Sequence, residues 1–147
     1  MTNNKSHQTA IKRNKLSAPM EYLYLIGIRF GGQLDYGCGR GNDADILCME
    51  KYDPFYFPNE EVLRAKYSFI TCNYVLNVVS LPEQVEILAK INDLLLDNGV
   101  AFITVRRDVK QDGYTSKGTF QRNVVLDLPV VREKKGHFCT YRLDKTV

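Results

Sequence analysis

The sequence predicts an α/β domain: a mostly parallel sheet with covering helices, closed by a C-terminal antiparallel hairpin. Three observations carry this. Short runs of β-formers alternate with helical patterns over residues 30–105. The first of these runs feeds straight into a glycine loop that opens a helix. Two β-rich runs near the C-terminus flank a charged, glycine-bearing turn. A length of 147 residues suits one domain, and 44% apolar with 25% charged residues excludes disorder for most of it. Residues 1–16 read as a basic N-terminal arm and 17–147 as the domain.

Ser17-Ala18-Pro19 opens the first helix, with Ser17 as N-cap and Pro19 in the first turn. Met20, Leu23, Tyr24, Leu25 and Ile26 form its apolar stripe, and Gly31-Gly32 ends the segment. Residues 33–36 are a short buried strand. Residues 42–49 are a short helix with Asp43 and Asp45 in its first turn, where the helix dipole favours acids. Residues 51–53 are a second strand, ended by Pro54, and 59–66 hold one or two helical turns. Residues 67–73 are a third strand. Ser80-Leu81-Pro82-Glu83 has capping-box spacing and starts a helix to about residue 96, with Val85, Leu88, Ile91 and Leu95 on its apolar face. Asp97-Asn98-Gly99 stops it. Residues 100–105 are a buried fourth strand, 106–121 a polar loop, and 124–128 pair with 138–143 through the Glu133-Lys134-Lys135-Gly136 turn.

The informative segment is Asp35-Tyr36-Gly37-Cys38-Gly39-Arg40-Gly41. Alternating glycines between a strand and a helix let backbone N–H groups approach a ligand with no Cβ in the way. The spacing is G-x-G-x-G, not the G-x-G-x-x-G of dinucleotide sites, and Asp35 suits a ligand with a cationic part better than a pyrophosphate. Asp53 lies at the end of the second strand, where a doubly wound fold hydrogen-bonds ribose hydroxyls. Two acids at adjacent strand ends around a glycine loop describe an adenosine site.

At these residues the chain resembles the class I S-adenosylmethionine-dependent methyltransferases. Asp35 to Gly41 look like their glycine motif, Asp53 like their ribose acid, and Asn73-Tyr74-Val75-Leu76-Asn77-Val78 like the segment after their fourth strand. A longer resemblance adds residues 7–19 and Tyr52-Asp53-Pro54-Phe55-Tyr56, and is to methyltransferases associated with DNA phosphorothioation gene clusters. The resemblance implies a compact Rossmann-like domain with S-adenosylmethionine as cofactor. It implies cofactor binding by Asp35, Tyr36, Gly37, Cys38, Gly39, Gly41, Asp53, Pro54, Phe55 and Asn73, and catalytic placement for Tyr74 and Asn77. It also implies that His7, Lys12 and Arg13 fold back over the cofactor.

The gap between Asp53 and Tyr67 is too short for a helix, a strand and a second helix, so one strand of the usual seven is expected to be missing. Phe55, Tyr56 or Phe57 then either stack on adenine or pack the sheet edge. Asp53-Pro54-Phe55-Tyr56 also resembles the D-P-P-Y motif of amino-methyltransferases acting on adenine or cytosine, but with Phe55 for proline and after the wrong strand.

Residues 1–15 carry a net +4, 16–105 a net −6 and 106–147 a net +5. The basic ends suit either a nucleic-acid backbone, DNA or RNA, or plain solvation. Arg106, Arg107 and Lys117 are the candidate substrate-binding residues. Cys38, Cys48, Cys72 and Cys139 form no C-x-x-C pair and the two histidines are far apart, which argues for no metal and for reduced thiols in a cytoplasmic protein. No apolar run is long enough for a membrane span, and the N-terminus lacks a signal-peptide pattern. An exposed sheet edge favours a homo-oligomer. The first function expected is a methyltransferase. The second is a non-catalytic S-adenosylmethionine-binding module acting as a sensor or as the partner of a nucleic-acid-modifying protein. A dinucleotide oxidoreductase is the least favoured.

Overall fold

The computed structural model describes residues 6–10 and 14–146. Six strands form one sheet in the order β2-β1-β3-β4-β8-β7. β1 (Leu34–Tyr36), β2 (Glu50–Tyr52), β3 (Tyr67–Asn73) and the first part of the sheet's centre, β4 (Leu95–Arg106), run parallel. β8 (Phe138–Asp144) pairs antiparallel with β4, and β7 (Val130–Lys134) antiparallel with β8. The small hairpin β5 (Gly113–Tyr114) and β6 (Phe120–Gln121) sits within the loop after β4.

Alternation along the central strands divides the core between the two faces. Ile70 and Cys72 of β3 and Ala101, Ile103 and Val105 of β4 pack with Ile91 and Leu94 of α3 (Leu81–Leu94). Phe69 and Phe102 face the other way. They meet Met20 and Leu23 of α1 (Ala18–Leu25) and Ala44 of α2 (Asn42–Leu47). Helices on both faces of a parallel sheet give the doubly wound layering expected from the alternation of elements.

The third strand of the usual seven is absent. Residues 53–66 hold only the Asp53–Phe57 bridge and a 3₁₀ turn, Glu60–Leu63. The capping box forms as the spacing predicts: Glu83 N–H donates to Ser80 Oγ, and Ser80 N–H donates to Glu83 Oε1, both at 3.3 Å.

Several local expectations are corrected. Ser17 precedes α1, but its side chain does not cap it; the hydroxyl and the Ser17 N–H both donate to Asp43, at 2.7 and 2.8 Å. Met20 and Leu23 are buried, whereas Tyr24, Leu25 and Ile26 are more than half exposed, because the helical turn carries Tyr24 and Leu25 away from the face that holds Met20 and Leu23. Val85 is exposed; the buried face of α3 runs through Gln84, Ile91 and Leu94. α3 ends at Leu94 and the chain enters β4 directly, with Asn98 in the left-handed region at φ 64° where the pairing with β3 shifts register. The last hairpin is displaced toward its turn. Gly136 (φ 76°) and the His137 N–H to Lys134 carbonyl bond (2.9 Å) make a tight turn. Lys134 is thereby opposed to Phe138, so the paired strand must be 130–134 and not 124–128. Val124 and Leu126 are buried all the same, as loop residues without ladder bonds.

Candidate functional site

Parallel pairing brings the carboxyl ends of β1, β2 and β3 side by side, so the glycine loop, the Asp53 turn and Asn73 converge on one crevice. A cavity of about 790 Å³ lies there. A shallower depression of about 480 Å³ sits by Gln33, Glu50 and Tyr67, at the opposite ends of the strands. Ligands of open α/β sheets bind outside the carboxyl ends, which decides for the first.

Gly37, Gly39 and Gly41 all have positive φ, at 76°, 58° and 81°. The Gly37 and Cys38 N–H groups both donate to the Tyr52 carbonyl, at 2.7 and 3.0 Å, which anchors the loop to β2. A Cβ on Gly37 would strike the Cγ2 methyl of Val75. Asp53 clamps the other side of the loop. Its Oδ2 accepts from Gly39 N–H at 2.9 Å, and its Oδ1 accepts from Phe55 N–H at 2.9 Å and Tyr56 N–H at 3.0 Å. A carboxylate offers about four acceptor sites. One remains for a ligand hydroxyl, so Asp53 shapes the loop first and has room for a single further bond.

Asp35 is buried and accepts from the Thr71 hydroxyl at 2.9 Å. Burial pushes its carboxyl up to about 7; the Thr71 bond opposes this, while the charges of Asp43 and Asp53 add to it. The native state therefore holds a proton that the unfolded chain, with a pKa near 3.9, gives up. Stability is fullest below about pH 4 and declines as pH rises to about 7, by at most about 4 kcal/mol from this group. The Asp35→Asn variant should thus melt higher than the native sequence at pH 8 and no higher at pH 4.5. Equal melting differences at the two pH values would dismiss the buried acid. A bound cation beside Asp35 reverses the preference, so binding below about pH 7 should release a proton.

Asn73 ends β3 with both polar atoms of its amide buried and without a hydrogen-bond partner. Such groups cost roughly 1–3 kcal/mol each, and Asn73 is part of the cavity wall. Tyr74 follows at φ 62°, a left-handed conformation rare for a bulky side chain, with its N–H donating to the Thr104 carbonyl at 2.8 Å. Cys38 also lines the cavity, but burial, then Asp35 and Asp53, push its thiol far up, so it is no thiolate nucleophile at neutral pH.

The arm covers the crevice. The His7 ring lies parallel on Phe55, with centroids 3.8 Å apart, and the Tyr56 hydroxyl donates to the His7 carbonyl at 3.2 Å. Ala10 approaches within 3.2 Å of where a Cβ of Gly39 would sit. Lys12 and Arg13 lie outside the described residues.

Asp35, Tyr36, Gly37, Cys38, Gly39, Asp53, Pro54, Phe55, Asn73 and Tyr74 therefore all meet at one cavity. The other expected site residues do not. Gly41 is buried behind the loop, against Lys51 and Phe57. Asn77 is buried and its amide is consumed: Oδ1 accepts from Arg106 N–H at 2.7 Å, and Nδ2 donates to the Arg122 carbonyl at 2.9 Å. It ties the turn after β3 to the end of β4 and reaches no acceptor. Arg106 is paired twice to Asp108, at 2.8 and 2.6 Å. Arg107 donates to the Val124 carbonyl and the Tyr141 hydroxyl, both at 2.6 Å. Lys117 is exposed in the β5–β6 hairpin, off the cavity. Sequence reasoning missed Asp43, Thr71, Val75, Glu83 and Glu86. Glu83 and Glu86 carried a signal, since both lie in the first turns of the helix that follows the third strand. Among the described residues, no group of three or more His, Cys, Asp or Glu is placed to hold a metal ion.

A methyltransferase domain model matches residues 12–145. The chain belongs to this methyltransferase family. No curated protein matches the sequence. Among solved structures, the magnesium protoporphyrin IX methyltransferase (ChlM) of Synechocystis PCC 6803, crystallised with bound SAM, superposes with a TM-score of 0.53 at 12% identity, over 88% of this chain and 77% of that one. TehB from Haemophilus influenzae superposes with a TM-score of 0.55 at 12% identity, over 91% of this chain and 64% of that one. These likenesses show a shared fold, and the Synechocystis structures hold SAM or SAH. No helix among the described residues is long and apolar enough to cross a membrane.

Proposed function

We propose that this methyltransferase binds S-adenosylmethionine in the crevice between the glycine loop, Asp53 and Asn73, and passes its methyl group to a small acceptor at the same cavity. The observation that carries the reading is Asn73, a residue of the cavity wall whose buried amide leaves a donor and an acceptor unpaired beside two acid-bearing strand ends. The residues fit the cofactor chemically. Asp35 offers a carboxyl to its cationic part, and Asp53 one acceptor site to a ribose hydroxyl.

When bound, the cofactor supplies a methyl group on a positively charged sulfur, so the protein's task is placement. The loop clamped by Asp53 and Tyr52 fixes one partner. Tyr74, held in its strained conformation by the bond to Thr104, fixes the wall beside it. The strap Ser6–Thr9 lies over one side of the crevice, with His7 on Phe55. No thiolate or metal is required of this chain.

The acceptor reading moves away from nucleic acid. The described arginines near the cavity end of β4 are bound internally: Arg106 by Asp108, Arg107 by Tyr141, and Arg122 by the Val79 carbonyl and Gln84. Calorimetric titration with S-adenosylmethionine, S-adenosylhomocysteine and NAD tests the proposal. The first two should bind and NAD should not, and Asn73→Leu should weaken S-adenosylhomocysteine by about 5- to 100-fold, the worth of one or two buried hydrogen bonds. Tighter binding of NAD, or full affinity in Asn73→Leu, overturns it.

A further inference from the structure

We infer that the acceptor is a small amine carried on an apolar body, and not a polyanion. The inference rests on the cofactor reading above and concerns the other end of the same cavity. There the wall is built by the turn after β3 and the first turns of α3: Val78, Val79 and Ile87 supply apolar surface, and Glu83 and Glu86 supply carboxylates.

The charge of the lining is one-sided. Asp43, Asp53, Glu83 and Glu86, joined by Asp35 once a cation beside it draws off its proton, stand against Arg40, the one Lys or Arg among the described lining residues, and its guanidinium lies over the Tyr56 ring. Asp43, Asp53 and Glu83 are held by Ser17, by loop N–H groups and by Ser80. Glu86 has no ion-pair partner among the described residues. The cofactor carries one net positive charge, so a loaded cavity still presents excess negative potential. That potential attracts an ammonium and repels a phosphate or carboxylate. Val78, Val79 and Ile87 favour an acceptor that buries hydrocarbon at this end.

The test uses the full chain saturated with S-adenosylhomocysteine, at low salt, with probes matched in shape and opposite in charge. 2-Phenylethylamine and 3-phenylpropanoate are titrated calorimetrically, alongside a short single-stranded oligodeoxynucleotide. The amine should bind at least about tenfold tighter than the carboxylate, with the oligonucleotide weakest, and the preference should shrink as salt screens it. Glu86→Gln should cut the preference about threefold, as suits an exposed carboxylate, and Glu86→Asp should restore part of it. Equal or tighter binding of the carboxylate or the oligonucleotide, an unchanged preference in Glu86→Gln, or no binding of any probe overturns the inference while leaving the cofactor site standing. Failure of S-adenosylhomocysteine itself to bind overturns both.

Discussion

Gly37→Ala is expected to destabilise the protein by about 2–4 kcal/mol and to reduce S-adenosylhomocysteine affinity by more than about tenfold. Two costs combine. The residue sits at φ 76°, where an L side chain costs roughly 1–2 kcal/mol. The new methyl would also strike the Cγ2 methyl of Val75, and overpacking of that kind costs about 1–3 kcal/mol. Val75 cannot simply retreat, since it packs against the main core beneath the loop. The strain instead lifts the loop away from the Tyr52 carbonyl, which displaces the wall of the cavity. Gly32 separates the two costs. Its φ is 73° and a Cβ there meets nothing within 4 Å, so Gly32→Ala should show the backbone cost alone. The double variant Gly37→Ala with Val75→Ala should recover part of the difference, giving a favourable coupling in urea unfolding. Additive losses would mean that the Val75 contact is not what limits the site.

What was legible in the sequence was what nearby residues decide. The glycine loop, the Ser80–Glu83 capping box and the short gap after Asp53 are fixed by spacings of a few residues, and each stands in the structure as expected. The Gly39 bond to Asp53 spans only 14 positions and follows from two parallel strand ends lying side by side. The failures are of another kind. Asn77 carries the same polar side chain whether it faces a ligand or clasps backbone, and its actual partners lie 29 and 45 positions away. Arg106 and Arg107 have the right chemistry for a phosphate, but Asp108 and Tyr141 claim them first. Ser17 had the sequence position of a cap, and Asp43, brought next to it by packing of α1 against α2, takes both its donors. Val124 to Leu128 have the alternation of a strand, but the tight turn at Gly136 gave the ladder to residues nearer the turn. In each case a local pattern was genuine and a distant partner decided its use.

The location of Asp53 within the loop changes what its removal should do. A ligand contact alone would predict weaker binding with an unchanged melting temperature. The structure instead predicts both losses, because the carboxylate accepts three backbone N–H groups, from Gly39, Phe55 and Tyr56. Bonds to a charged acceptor contribute about 1.5–3 kcal/mol each, less where water can replace them, as it can at exposed Phe55. Asp53→Ala should therefore lower unfolding free energy by about 2–4 kcal/mol and weaken S-adenosylhomocysteine by well over tenfold, since the Gly39 side of the loop loses its anchor. Asp53→Asn is the sharper probe. An amide keeps one acceptor oxygen and turns the other into a donor, so it can hold Gly39 or the Phe55–Tyr56 pair but not both. Its stability should fall between the native sequence and Asp53→Ala, with affinity following stability. If Asp53→Asn instead keeps native stability while losing affinity as fully as the alanine variant, the acid acts on the ligand directly and the clamp is incidental. Parallel loss in both measurements means that this side of the crevice exists only because Asp53 folds the loop around itself.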